Sequence, residues 1–340
     1  MSQAVSAGRA RPSAQEPALV VEHSEKAGLV ARLAHTAFRL TVRPALGLAS
    51  AVLGSVNDKN LLWIPRLLDP CLFLMPPIRG THRRRVQLLN CRAEWVWHDG
   101  TPDPGSSQGP VVLYFHGGGF TSCGLNTHRR LASDLAKTTG AAVLNVDYQQ
   151  LPSASFADTL QDAVEAYEWL LASGRRADQI AFGGDSAGGG LAFRAAIEVR
   201  DLGIGVPGAV FAFSPWADLD CAQKAIHPNH RLDPLLSAQI LGNVVKVGLA
   251  KDGLIDPSWS SVNHDFAGLP PASIHVGSTE CLLPDAELLA KRLGEAGVPC
   301  SLKIWDRQIH VFPAGAVVLP EARAALEEVG QFVRSSLASA

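Results

Sequence analysis

A mostly parallel α/β sheet covered by helices on both faces is the architecture that the 340-residue sequence predicts. Three observations carry it. Short, nearly all-apolar runs recur from about residue 84 onward, and amphipathic helical stretches separate several of them. Hydrophobic residues make up 47% of the chain against 18% charged, which suits a large buried core and excludes disorder as the main state.

Taken in order, residues 1–25 are rich in Ala, Ser, Pro and Gln and read as a mobile tail. Residues 26–82 read as an N-terminal helical segment. Leu29, Leu33, Phe38, Leu40 and Leu46 fall at helical spacings there, with breaks at Pro44, Pro65 and Pro70. A cap built from this segment would bury those side chains. The alternative is an amphipathic helix lying on a membrane surface. The apolar stretch 44–56 is too short to span a bilayer, which takes roughly 20 residues, and starts too late for a secretory signal, so a cytoplasmic location without membrane insertion is expected.

Strands are predicted at 86–97, 111–116, 141–148, 179–183, 209–214, 272–277 and 301–305, with helices at 127–138, 157–173, 189–199, 285–296 and 320–336. The stretch 215–271, helical over about 233–249, is longer than a single crossover needs. A cap insertion at about 220–265 within a catalytic domain of 83–340 accounts for the excess, placed over the carboxyl edge of the sheet where open α/β sheets bind ligands.

A formal net charge of −2, from 30 basic and 32 acidic residues, gives no global footprint for nucleic acid or an anionic surface. The run His82-Arg83-Arg84-Arg85 reads as the solvated start of a strand. Six scattered cysteines without a C-x-x-C pair fit neither a zinc site nor a disulfide framework, and buried thiols are expected.

Chemistry concentrates in three places. Gly184-Asp185-Ser186-Ala187-Gly188 follows an apolar strand and precedes a helix, the context of a nucleophile elbow. So tight a turn needs bare residues two positions either side of Ser186, and the helix behind it favours developing negative charge. Taken alone, the pattern also suits a glycine-rich nucleotide-binding turn. His116-Gly117-Gly118-Gly119-Phe120, 70 residues before Ser186 (186 − 116), ends another strand. Its bare amides suit an oxyanion, with Gly118, Gly119 and Ala187 as candidate donors. His116 itself reads as an organiser of this loop. His310 follows the last predicted strand, where the general base of such an arrangement belongs. Asp158 and Asp162 read as solvated helix positions.

Together with Asp147-Tyr148-Gln149-Gln150-Leu151-Pro152, Ser214-Pro215-Trp216-Ala217-Asp218-Leu219 and Gly268-Leu269-Pro270-Pro271, these motifs resemble the hormone-sensitive-lipase-like bacterial carboxylesterases over roughly residues 84–337. The resemblance implies the α/β-hydrolase fold, and hydrolysis of short- to medium-chain acyl esters without metal or organic cofactor. The implied partner is a small ester; no nucleic acid is expected, and a homodimer stays open. Two departures stand out. Ser153 occupies a position where the family usually has glutamate, and the aligned acid in Glu280-Cys281-Leu282-Leu283-Pro284-Asp285 is Glu280. Asp285 follows Pro284 and is expected in a helix's first turn, pointing away from the loop. The expected triad is therefore Ser186, Glu280 and His310. An amidase or peptidase shares the same triad chemistry, and a non-catalytic receptor shares the same fold.

Overall fold

A computed structural model describes residues 18–71 and 76–338. Nine strands form one sheet: β1 Leu19–His23, β2 Thr81–Gln87, β3 Arg92–His98, β4 Val111–Phe115, β5 Ala142–Asp147, β6 Ile180–Asp185, β7 Ala209–Phe213, β8 Ala272–Gly277 and β9 Cys300–Trp305. Their spatial order is β1-β9-β8-β7-β6-β4-β5-β3-β2. Only β2–β3 and β3–β5 are antiparallel.

The helices are α1 Leu29–Leu40, α2 Val42–Val56, α3 Leu68–Cys71, α4 Leu125–Thr139, α5 Phe156–Ala172, α6 Ser186–Asp201, α7 Ala222–Ile226, α8 Asn229–Leu232, α9 Ala238–Val244, α10 Leu283–Glu295 and α11 Pro320–Ala338. Strand β4 shows why the central runs are continuously apolar: all five of its residues are buried. Leu113 and Phe115 face the core shared with α5, α6 and α10, while Val112 and Tyr114 face the one shared with α4 and α11. With both faces covered, the two-residue strand period leaves no position for a polar side chain at the surface. Each such burial contributes roughly 1.5–3 kcal/mol.

Several sequence expectations change. Residues 19–23, assigned to a mobile tail, form the edge strand β1, paired in parallel with β9; residues 1–17 lie outside the described residues. The single strand expected at 86–97 is a hairpin, β2 and β3, whose turn carries the Leu88 N–H to the Cys91 carbonyl at 2.9 Å. The arginine run sits inside β2 rather than at its start. Arg83 pairs with the buried Glu94 at 3.2 Å and Arg84 with Asp103 at 2.5 Å. Asp158 is an exposed helix position as expected, closing a capping box with Ser155 at the start of α5, whereas Asp162 is buried, its Oδ2 accepting from the Gln149 N–H at 2.7 Å.

Another change concerns the N-terminal leucines. Leu29, Leu33, Leu40 and Leu46 are exposed, and the α1 residue that reaches the core is Ala31. Helix α2 packs on α9 through small residues. Asn243 donates to Ser50 Oγ and to the Ser50 carbonyl, both at 2.9 Å, and a side chain at Gly54 would collide with that asparagine. Arg43 of α2 donates to the carbonyls of His230 (2.7 Å), Arg231 (3.1 Å) and Asp233 at the end of α8. The excess chain after β7 supplies α7, α8 and α9, and regular helix starts at Ala238 rather than near residue 233.

Candidate active site

The carboxyl ends of β4, β6, β7 and β8 and the loop after β9 bring the sequence's candidate residues together. At the end of β6 the chain turns straight into α6, with Ser186 at φ +52°. That left-handed conformation is costly for a residue with a side chain, on the order of 1–3 kcal/mol, and persists because the surrounding turn fixes it. A side chain at Gly184 would meet the Gly188 carbonyl oxygen at 2.2 Å, and one at Gly188 the Phe115 carbonyl oxygen at 2.1 Å. The elbow can close only with both positions bare.

Ser186 Oγ lies 2.9 Å from His310 Nε2, and His310 Nδ1 lies 2.7 Å from Glu280 Oε2. A carboxylate can only accept, so Nδ1 carries the imidazole proton and Nε2 presents its lone pair to the serine hydroxyl. Glu280 is fully buried, and its Oε1 accepts from the Gly277 N–H at 2.6 Å and the Ser214 hydroxyl at 2.7 Å. Burial by itself lowers the His310 pKa. The hydrogen bond and charge of Glu280, with Asp233 and Asp185 further off, outweigh it and hold the imidazole above its ordinary value.

The glycine loop after β4 lies against the elbow. Gly118 adopts φ +117° and Gly119 φ +63°. The Gly118 carbonyl accepts from the N–H groups of Thr121 and Ser122 at 3.1 and 3.0 Å, which curls the loop. Among the described residues no group accepts from the N–H of Gly118 or Gly119. Ala187 lies in the first turn of α6, where an N–H has no partner within the helix. His116 stacks on Tyr148 at 4.3 Å, and Tyr148 donates to the His116 carbonyl at 2.5 Å. Burial pushes the His116 pKa down to about 4, so this ring is neutral.

Asp285 does lie in the first turn of α10, and its side chain is buried. It pairs with Lys224 of α7 at 2.7 Å and accepts from the Asp218 N–H at 2.9 Å. Burial opposes the charge on Lys224, and the adjacent Asp285 more than restores it, raising the ammonium pKa. Asp285 makes no contact with His310.

Sequence reasoning missed the residues that hold this constellation in place. The buried Asp185, between Gly184 and the serine, accepts from the Tyr114 hydroxyl (2.7 Å) and the Gly117 N–H (3.0 Å) and meets His128 Nε2 at 3.2 Å, joining the elbow to the glycine loop. Asp233 accepts from the Cys281 N–H at 2.6 Å, and Asn229 donates to the Glu280 carbonyl at 2.9 Å. Asp185 was visible within its motif; nothing local marks Asp233 or Asn229. A cavity of about 600 Å³, lined among others by Trp63, Arg66, Cys123 and Tyr148, opens beside the glycine loop without including Ser186, Glu280 or His310.

The chain is also similar to known proteins. A family model described as the alpha/beta hydrolase fold matches residues 112–314. The chain is 35% identical over 331 residues to the carboxylesterase/phospholipase LipF of Mycobacterium tuberculosis, covering 94% of this chain and 85% of that one. It is 35% identical over 304 residues to esterase LipU of the same organism, covering 87% and 99%. The crystal structure of an esterase from the bacterial hormone-sensitive lipase family superposes with a TM-score of 0.73 at 32% identity, covering 86% of this chain and 98% of that one.

Proposed function

The chain belongs to the hormone-sensitive-lipase-like carboxylesterases of the alpha/beta hydrolase fold and hydrolyses esters, and from that premise we propose that Ser186, His310 and Glu280 carry out the reaction on short- to medium-chain acyl esters. The observation that carries the assignment is the continuous hydrogen-bonded line from Ser186 Oγ through the imidazole to Glu280, at 2.9 and 2.7 Å.

In this reading His310 Nε2 takes the hydroxyl proton as Ser186 Oγ attacks the ester carbonyl. Glu280 holds the tautomer and stabilises the imidazolium. The carbonyl oxygen becomes an oxyanion facing the amides of Gly118, Gly119 and Ala187, whose fixed orientation needs no rearrangement during the reaction. His310 then protonates the departing alcohol oxygen, leaving an acyl group on Ser186. Water, deprotonated by the same imidazole, attacks the acyl-enzyme and restores the serine.

The segment 26–82 and the insertion at 220–265 act together as a cap in this reading. The bonds from Arg43 to the end of α8, and from Asp233 to the residue after Glu280, support that assignment. A short-chain preference rests on the family. Each methylene placed in a fitting pocket adds only ~0.8 kcal/mol, so a broad optimum ends where the pocket fills.

Rates on p-nitrophenyl esters of graded chain length, beside matched anilides, test the proposal. An optimum within about C2 to C8, with much slower anilide turnover, supports it. Fastest turnover of a C16 ester, or anilide rates equal to ester rates, contradicts it.

A further inference from the structure

Helices α1 and α2 present their apolar faces to the outside. On α1, Leu29, Leu33 and Leu40 fall on one stripe and are 67, 61 and 72% exposed. On α2, Leu48, Val52 and Val56 form a second stripe at 69, 50 and 59% exposure. The inward positions are small or polar and already occupied. Ala31 packs into the core, Ser50 and Gly54 meet Asn243, and Arg43 caps α8. Rolling either helix to bury its stripe would break those contacts, so these leucines and valines have no place in the protein's own interior.

Charge narrows what can cover them. From Lys26 to Asn57 the chain contains no Asp or Glu, while Lys26, Arg32, Arg39 and Arg43 are basic. Arg43 is spent on carbonyls inside the protein. Lys26, Arg32 and Arg39 are exposed, and none is in an ion pair among the described residues. On the α1 helical wheel Arg32 and Arg39 lie together along one side of the leucine stripe. The near-neutral balance of the whole chain conceals this local excess. Two copies joined through the face by a two-fold axis would set the same arginines against each other, and neither α1 nor α2 carries an acid to pair with them. A surface that is apolar beneath and anionic at its rim satisfies both features.

We propose that the α1–α2 face docks on an anionic lipid bilayer, with the leucine and valine stripes in the acyl boundary and Lys26, Arg32 and Arg39 at the phosphate level. No helix among the described residues is long and apolar enough to cross a membrane, so the contact is peripheral. The chain continues from α2 into exposed Trp63, Ile64 and Leu67. Trp63 and Leu67 also line the 600 Å³ cavity beside the glycine loop. Docking would therefore bring one wall of that cavity close to the lipid surface. The inference stands apart from the triad assignment, because it concerns exposed side chains outside the hydrogen-bonded line of Ser186, His310 and Glu280.

Co-sedimentation of the full chain with vesicles of phosphatidylcholine, alone or mixed with phosphatidylglycerol, tests it. Turnover of soluble p-nitrophenyl butyrate serves as the control for folding. The expected result is binding to the mixed vesicles that weakens as salt is raised. Leu33→Ser with Val52→Ser should lower binding roughly 100-fold, and Arg32→Glu with Arg39→Glu at least tenfold, with butyrate turnover unchanged in both. The proposal is overturned by absence of binding to either vesicle, or by binding that neither double substitution reduces. It is equally overturned if the same Leu33→Ser, Val52→Ser change instead dissociates a concentration-dependent dimer, or if binding emerges only after residues 1–17 are removed.

Discussion

The Ser214 hydroxyl donates to Glu280 Oε1 at 2.7 Å and accepts from the Val311 N–H at 3.2 Å, so one side chain joins the acid to the residue beside His310. Ser214 directly follows β7 at φ +49°, and Val311 is also left-handed at φ +54°. Two strained backbone positions thus face each other across a single hydroxyl.

Ser214→Ala should leave the Val311 amide unpartnered and loosen Glu280. A hydrogen bond to a charged group is worth roughly 1.5–3 kcal/mol, so kcat should fall about 10- to 100-fold while KM for a short ester changes little. Steady-state kinetics on p-nitrophenyl butyrate checks this, and an unchanged kcat would show that Glu280 is held by its other partners alone.

Asp285→Asn removes the charge opposite Lys224 and leaves a buried ammonium with only neutral acceptors, the new amide oxygen and the Asp218 carbonyl at 2.7 Å. Breaking a buried pair in this way costs on the order of 3–5 kcal/mol. A large drop in the urea midpoint is expected, with near-normal kcat for the molecules that remain folded. A variant with native stability and crippled turnover would instead give Asp285 a role in the chemistry.

The contrast between Asp285 and Ser186 marks what the sequence discloses. Ser186, Gly118, Gly119 and His310 sit in short motifs whose residue types follow from local backbone demands, and the buried strands announce themselves by unbroken apolar runs. Glu280 was readable from its place between β8 and His310. The partner of Asp285 was not, because Lys224 is 61 residues away on a different helix. Strand β1 escaped notice because four of its five residues are exposed and it pairs with a segment nearly 300 residues distant. The hairpin of β2 and β3 read as one strand because its turn contains Leu88 and Leu89 rather than glycine or proline. The spacing of Leu29, Leu33 and Leu40 gives a stripe without saying which way it faces. Only the packing of Ala31, Ser50 and Gly54 settles that.

Gly118→Ala places a methyl 2.1 Å from the Ser122 carbonyl oxygen at a φ of +117°, which a side chain rarely adopts. The loop must move, and with it two of the three amides assigned to the oxyanion. Loss of one such donor typically costs 10²–10³ in kcat. A drop of at least 100-fold with little change in melting temperature is expected, and a near-normal kcat would remove this loop from the oxyanion assignment.

The pH profile follows from the groups facing His310. The base works as neutral imidazole, so kcat/KM should fall as pH drops through its raised pKa, with a midpoint above about 6.5. Glu280, Asp233 and Asp185 are the carboxylates that favour the imidazolium. Burial, and then the charge of Glu280, push the Asp233 carboxyl itself up to about 6, so its charge bears on His310 above that pH. Asp233→Asn removes that negative charge, lowers the imidazole pKa and should move the acid limb to lower pH. A limb that stays put or moves upward would contradict the electrostatic role.

The most direct test of the account is the turnover of Ser186→Ala on p-nitrophenyl butyrate, with the melting temperature measured beside it. The account predicts a fall on the order of 10³–10⁶ in kcat in a protein that still folds, the remainder coming from the oxyanion loop and binding. Activity within tenfold of the unsubstituted enzyme would contradict it.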